Sequence, residues 1–245
     1  MRREIIGPCE LWLGDCREVM AGLSAGSVDC VIVDPPYGAR RPSARRSVDD
    51  RFTEIVGNES VDSSWAGLAH GITAEGGCLY SFCTWDTIDE WRRGLRAAGW
   101  KVRSCVVWDK EIHGLGDLKT CWAPRHEMVL FAAKGRHELA GSRPVDVIRV
   151  PRVPSGDLLH PYQKPVELLV ELLRTNTGTV ADFFMGSAST GVACIRTNRR
   201  FIGCEIDPGY FDIACRRIER EWRLKQSELP FEKIEPAVQR EMFDG

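Results

Sequence analysis

Val31-Ile32-Val33-Asp34-Pro35-Pro36-Tyr37 is the stretch from which the rest of the chain can be read. Its first three residues are apolar and β-branched, which suits a buried strand. Two prolines end that strand, because neither has an N–H to donate to a ladder. Asp34 is therefore expected to project from a strand's carboxyl end, where open α/β sheets hold their ligands. The prolines stiffen the backbone beside it and leave carbonyl oxygens free, and Tyr37 adds an aromatic face. A rigid set of acceptors beside a stacking ring suits a flat ring that bears an amine. The less specialised reading is a strand ending in a tight turn, with Asp34 capping the next segment.

Working outward, strands and helices alternate. Glu10–Leu13 reads as a strand, and Asp15 as the N-cap of a helix over 17–23. Ser27–Val33 feeds Asp34. Helices are expected over 61–71 and 85–98, the second capped by Thr84. Strands are expected at 78–83, 100–108 and 125–133, and a short one at 145–150. Pro165 suits the first turn of a helix over 166–174. The last third reads as a strand over 178–183, a helix to 197, a strand over 199–206, and a helix from Asp207-Pro208 to about 222. About seven strands alternating with helices predict a doubly wound, Rossmann-like α/β fold, with a mostly parallel seven-stranded sheet and helices on both faces. We expect one catalytic domain over 1–223 and a loosely docked tail over 224–245.

A second constellation spans Asp182-Phe183-Phe184-Met185-Gly186-Ser187-Ala188-Ser189-Thr190-Gly191. A glycine turn between strand and helix lets a ligand approach bare backbone, at a helix N-terminus that favours an anionic group. Glu205 ends the following strand, a usual place for a carboxylate that holds ribose hydroxyls. The glycine spacing is not that of the dinucleotide fingerprint, so a single nucleoside with a short charged tail is the expected ligand.

Composition narrows the classes. The chain has 245 residues, 43% of them apolar, and a net charge of −2, so nucleic-acid binding must rest on local patches. One such patch is the basic run Arg40, Arg41, Arg45 and Arg46, in an aperiodic segment over 38–60. The ten cysteines form no C-x-x-C pair and read as reduced core residues, not a disulfide or zinc framework. No secretory leader is read and no apolar run approaches about 18 residues. A cytoplasmic protein with neither membrane nor metal is therefore expected.

Three blocks stand in order: Asp34-Pro35-Pro36-Tyr37, then His160-Pro161-Tyr162-Gln163-Lys164-Pro165, then Asp182 to Gly191. Together they resemble the permuted β class of S-adenosylmethionine-dependent DNA amino-methyltransferases, over roughly residues 10–222. The resemblance implies that Asp34, Pro35, Pro36 and Tyr37 form the catalytic block. It implies cofactor contacts from Asp15, Asp34, Gln163, Lys164, Asp182, Phe184, Gly186, Ser187, Gly191 and Glu205. It also implies double-stranded DNA as partner, a possible homodimer, and a bacterial or phage-borne setting. Asp at the head of the block favours adenine N6 over cytosine N4 as the acceptor. Two positions depart from the family pattern. Ala188 stands for a glycine and is expected to narrow the cofactor's clearance, and Tyr162 stands for a small hydroxyl residue. DNA contacts are expected from 38–60, 109–124 and 136–159. Methylation of an amine or amide in RNA or protein, and a non-catalytic DNA-binding module, are the other readings.

Overall fold

A computed structural model describes residues 1–37, 60–114 and 119–228. The chain begins with a hairpin, β1 (Arg2–Ile6) and β2 (Cys9–Leu13), followed by α1 (Cys16–Ala21) and β3 (Val28–Val33). Then come α2 (Trp65–Ile72), β4 (Thr73–Cys83), α3 (Ile88–Ala97), β5 (Lys101–Asp109), β6 (His126–Ala133) and the three-residue β7 (Val147–Arg149). The last third is α4 (Val166–Leu173), β8 (Val180–Asp182), α5 (Ser189–Arg196), β9 (Phe201–Glu205) and α6 (Pro208–Glu228).

The nine strands among the described residues join one sheet in the order β1-β2-β9-β8-β3-β4-β6-β5-β7, with five parallel and three antiparallel pairings. The expected class holds, but the sheet is two strands wider than the seven expected. One addition is β1, a polar edge strand paired antiparallel with β2. The other is the short β7 at the opposite edge, alongside β5, within the short strand expected at 145–150.

Central β3 shows why the apolar pattern builds two layers. Successive side chains of a strand point to opposite faces. Cys30 and Ile32 therefore join the core under α4, α5 and α6, and Val31 and Val33 join the core under α1, α2 and α3. Helix stripes complete each layer: Leu168, Leu169, Leu172 and Leu173 from α4 on one face, Trp65, Ala69, Trp91 and Leu95 from α2 and α3 on the other. Six of the ten cysteines are buried and none is in a disulfide. Among the described residues no helix is long and apolar enough to cross a membrane, and no group of three or more potential metal ligands occurs.

Several boundaries moved. The second helix starts at Trp65, four residues later than expected, and β4 extends back to Thr73. Thr84 does not cap α3; its hydroxyl meets that of Thr87, the residue at the cap position, at 3.0 Å. Helix α6 continues to Glu228, so the expected tail begins as helix.

The sheet's order also sets the position of the site. From β3 the chain moves one way to β4, while β8 and β9 fill the other side. The carboxyl ends of adjacent β3 and β8 thus flank a switch point, where such sheets leave a crevice.

Candidate active site

A cavity of about 510 Å³ opens at that switch point, within the range of roughly 300–1,000 Å³ usual for small-molecule sites. It is lined by Asp34 to Tyr37, by Asp15, Gln163, Lys164, Asp182, Phe184, Gly186, Ser187 and Glu205. The structure therefore brings together every expected catalytic residue and all but one of the expected cofactor residues. The exception is Gly191, inside α5, whose added Cβ would lie 2.6 Å from Ile218 and 2.8 Å from Phe201. It is glycine so that α5 can pack against α6 and β9. Arg40, Arg41, Arg45 and Arg46 lie outside the described residues.

Asp34 extends from the end of β3 with both carboxylate oxygens engaged. Tyr37 donates its hydroxyl hydrogen to one and Lys164 Nζ donates to the other. Lys164 is nearly buried, lies 3.3 Å from the Tyr37 hydroxyl, and sits over the Phe82 ring at 4.9 Å. Its ammonium also lies 3.4 Å from Glu127, which in turn receives a 2.5 Å hydrogen bond from Lys110. Burial favours the neutral amine of Lys164, but Asp34 and Glu127 outweigh it and hold the group protonated. Burial likewise pushes Glu127 up, and Lys164 and Lys110 bring it below the ordinary carboxylate range. For Asp34 burial wins over Lys164 and raises the carboxyl. Lys164, expected against the cofactor, is thus tied to the Asp34 carboxylate.

The other half of the cavity is built on backbone. Asp182, at the end of β8, accepts from Thr190 Oγ1 at 2.6 Å and from Phe184 N at 3.0 Å. No cation reaches it among the described residues, and burial raises its carboxyl to about 7. Glu205 accepts from the backbone N–H of Gly186 at 2.8 Å and of Ile206 and Asp207 at 2.9 Å each. Gly186 has φ +50°, and a Cβ there would lie 3.3 Å from the His160 ring. His160 packs edge-on against Tyr210 at 4.4 Å; burial, with Lys164 nearby, lowers it to about 4, so it is neutral at physiological pH. Gln163 Oε1 accepts from Leu159 N at 2.8 Å. Asp15 caps α1 through Arg17 N at 2.8 Å, and the Arg17 guanidinium holds its carboxyl below the usual range.

Ala188 takes the left-handed conformation, φ 58°, that its family glycine adopts freely. Its methyl group is fully buried in the core and does not line the cavity. The expected narrowing does not occur; the cost of this alanine falls on the backbone. Tyr162 does line the cavity.

Four residues that the sequence reading passed over shape the site. Glu127 and Lys110 complete the charged cluster around Asp34. Trp65 meets Phe184 edge-on at 5.6 Å, and its buried indole N–H has no acceptor among the described residues. Arg217 donates to Ser187 O at 3.0 Å and Ser189 Oγ at 2.9 Å, pinning the glycine turn. Only Arg217 left a signal: it sits on the buried stripe Ala214-Ile218 of α6, where a cation needs partners.

Seven acids and two bases line the cavity, Arg17 and Lys164 being the bases. Such a surplus favours a ligand that carries positive charge. Asp182, buried and without a cation among the described residues, marks the place where such a ligand would find an opposite charge.

Comparison with known proteins settles the family. A family model described as DNA methylase, of the N6/N4 type, matches residues 28–154 and 146–216. This chain belongs to the N6/N4 DNA methylase family. It is 30% identical over 219 residues to YubD of Escherichia coli (strain K12), a protein named as a methylase, covering 87% of this chain and 91% of that one. It is 23% identical over 235 residues to the type II methyltransferase M2.MboI of Moraxella bovis, covering 84% and 86% of the two chains. Among solved structures, the M1.HpyAVI–SAM complex matches with a TM-score of 0.64 at 24% identity, over 85% of this chain and 99% of that one. The cytosine-N4-specific PvuII DNA methyltransferase matches with a TM-score of 0.68 at 16% identity, over 91% and 94%. These structural likenesses extend to the fold.

Proposed function

We propose that this DNA methylase transfers a methyl group from S-adenosylmethionine to N6 of an adenine turned out of double-stranded DNA. The observation that carries the reading is Asp34, a carboxylate at the carboxyl end of β3, lining one cavity with Tyr37, Asp182 and Glu205. The cavity fits the cofactor: its acid surplus suits a cation, Asp182 suits an ammonium group, and Glu205 suits ribose hydroxyls. Gly186 and Ser187 would lie along the methionine part, with Gln163 beside them, and Phe184, Trp65 and Asp15 would flank the adenine. When bound, the cofactor supplies an electrophilic methyl group on a positively charged sulfur.

The residues of this chain do the rest. An exocyclic amine is a poor nucleophile because its lone pair is delocalised into the ring. Asp34 and the Pro35 carbonyl accept hydrogen bonds from its two protons and localise that pair on nitrogen. The Tyr37 hydroxyl gives up its bond to Asp34, and its ring stacks on the base, offsetting part of the few kcal/mol that unstacking costs. The proton lost by nitrogen goes to Asp34, whose buried carboxyl is raised and receives it readily. Much of the catalysis is then positioning. Arg40, Arg41, Arg45 and Arg46 serve as phosphate contacts in this reading, and the enzyme works in the bacterial cytoplasm on host or phage DNA.

The test is transfer of labelled methyl from S-adenosylmethionine to unmethylated duplex DNA, followed by nucleoside mass spectrometry. N6-methyladenine is expected. N4-methylcytosine would overturn the base assignment, and label entering only RNA or protein would overturn the substrate.

A further inference from the structure

The charged cluster behind Asp34 is larger than the chemistry in the cavity needs. Asp34 directly follows β3, Lys164 lies in the turn before α4, Glu127 is on β6 and Lys110 directly follows β5. Antiparallel pairing of β6 with β4 and β5 puts the start of β6 at the same sheet edge as the end of β3. The contacts run in a line: Lys164 Nζ to Asp34, Lys164 Nζ to Glu127 at 3.4 Å, Lys110 Nζ to Glu127 at 2.5 Å. Two carboxylates face two ammonium groups, so the cluster carries no net charge. One Glu127 oxygen is fully enclosed, makes no hydrogen bond, and is held by its ionic contact with Lys164.

We infer that Glu127 is a positioning residue whose negative charge balances Lys164, keeping the wall around Asp34 neutral towards a cationic methyl donor and leaving Asp34 a strong acceptor. The inference rests on the function proposed above. Lys164 anchors the Asp34 carboxylate, but an ammonium on that wall repels a sulfonium and withdraws electron density from Asp34. Glu127 shares the ammonium and cancels its charge. Lys110 then prevents the reverse error, an uncompensated carboxylate that would leave the wall negative. Asp34, Lys164 and Glu127 line the same cavity, so a full charge on that wall is felt across it.

Two variants shift the cluster in opposite senses. Glu127→Gln keeps the shape and leaves one positive charge; Lys110→Met leaves one negative charge. The readout is the ratio of calorimetric affinities for S-adenosylmethionine, a cation at sulfur, and S-adenosylhomocysteine, a neutral thioether. Glu127→Gln should lower the cation-to-thioether preference about three- to tenfold, and Lys110→Met should raise it by a similar factor, as expected for a unit charge acting across a partly solvated site. Glu127→Asp should restore most of the wild-type ratio. Turnover in Glu127→Gln should also fall, with KM for DNA unchanged. An unchanged ratio in Glu127→Gln, or a shift of the same sign in both variants, overturns the inference. If Glu127→Gln does not fold, Lys110→Met alone decides: an unchanged or lowered ratio overturns it. Wild-type protein that binds neither ligand overturns the proposed function and this inference with it.

Discussion

Two carboxylates, Asp34 and Asp182, end neighbouring strands of one sheet and line one cavity, yet their surroundings differ. Asp34 is met by an ammonium and a phenol, backed by a second ion pair. Asp182 is met by a threonine hydroxyl and one backbone N–H, with no cation among the described residues. The first is electrically complete before anything binds. The second is left short of a positive charge, so burial raises its carboxyl to about 7 with no cation to offset it among the described residues. Under the proposed function the difference suits a division of labour, with the Asp34 half serving a neutral base and the Asp182 half a charged cofactor. Perturbed carboxylates of opposite environment in one site are a usual mark of separate roles.

The comparison breaks most sharply at Asp34. Asp34→Ala should lower methyl transfer by at least about a thousandfold, near the upper range for removing an acid–base group, while cofactor affinity falls by no more than about tenfold, as expected for one uncancelled positive charge in the cluster; single-turnover rates and calorimetry read the two.

Asp182→Asn should instead weaken cofactor binding roughly ten- to hundredfold, the worth of a hydrogen bond to a charged group. Only ionised Asp182 attracts the cofactor's ammonium, so wild-type binding should tighten as pH rises through about 7. The ligand-free protein behaves oppositely. A carboxyl whose folded-state pKa is raised above its unfolded value costs stability increasingly as pH climbs from the unfolded towards the folded value. Asp182→Asn should therefore raise the melting temperature of the ligand-free protein at pH 8 more than at pH 5.

Arg217 supports the same half from behind. Burial lowers this guanidinium to about 10, and it spends its hydrogen bonds on Ser187 and Ser189. Arg217→Leu leaves the Ser187 carbonyl unpaired, so a loss of about 1–2 kcal/mol in denaturant unfolding is expected, with several-fold weaker cofactor binding and little change at Asp34.

The smallest effect is expected at Ala188. Ala188→Gly relieves a left-handed alanine, but it frees the unfolded chain and removes a buried methyl group, each worth about 0.5–1 kcal/mol. These terms nearly cancel, and thermal unfolding should show a change within about 0.5 kcal/mol.

Much of this site was legible because its chemistry rides on backbone turns. Asp34 follows an apolar β-branched run stopped by prolines, Asp182 precedes a glycine turn, and Glu205 ends the next strand; each signal is local. The central strands were legible for the same reason. Strand β1 was not, because its Arg-Arg-Glu pattern reflects an edge whose side chains remain in water. The end of α6 was misread as tail because residues beyond Trp222 carry no apolar stripe; good helix formers and an i,i+4 pair, Glu219 to Arg223 at 2.6 Å, continue it. Glu127 and Lys110 were invisible because antiparallel pairing, not sequence proximity, carries them to Asp34. Trp65 carried no signal: its alignment with Phe184 depends on how α2 packs over the sheet, which no spacing reveals.

The most direct test of the division of labour is a calorimetric titration of S-adenosylmethionine into wild type, Asp34→Ala and Asp182→Asn between pH 6 and 8. Asp34→Ala should retain the wild-type rise in affinity through about pH 7, and Asp182→Asn should be weak and flat across the range. A pH dependence that survives in Asp182→Asn and disappears in Asp34→Ala would contradict the assignment of cofactor and base to these two halves.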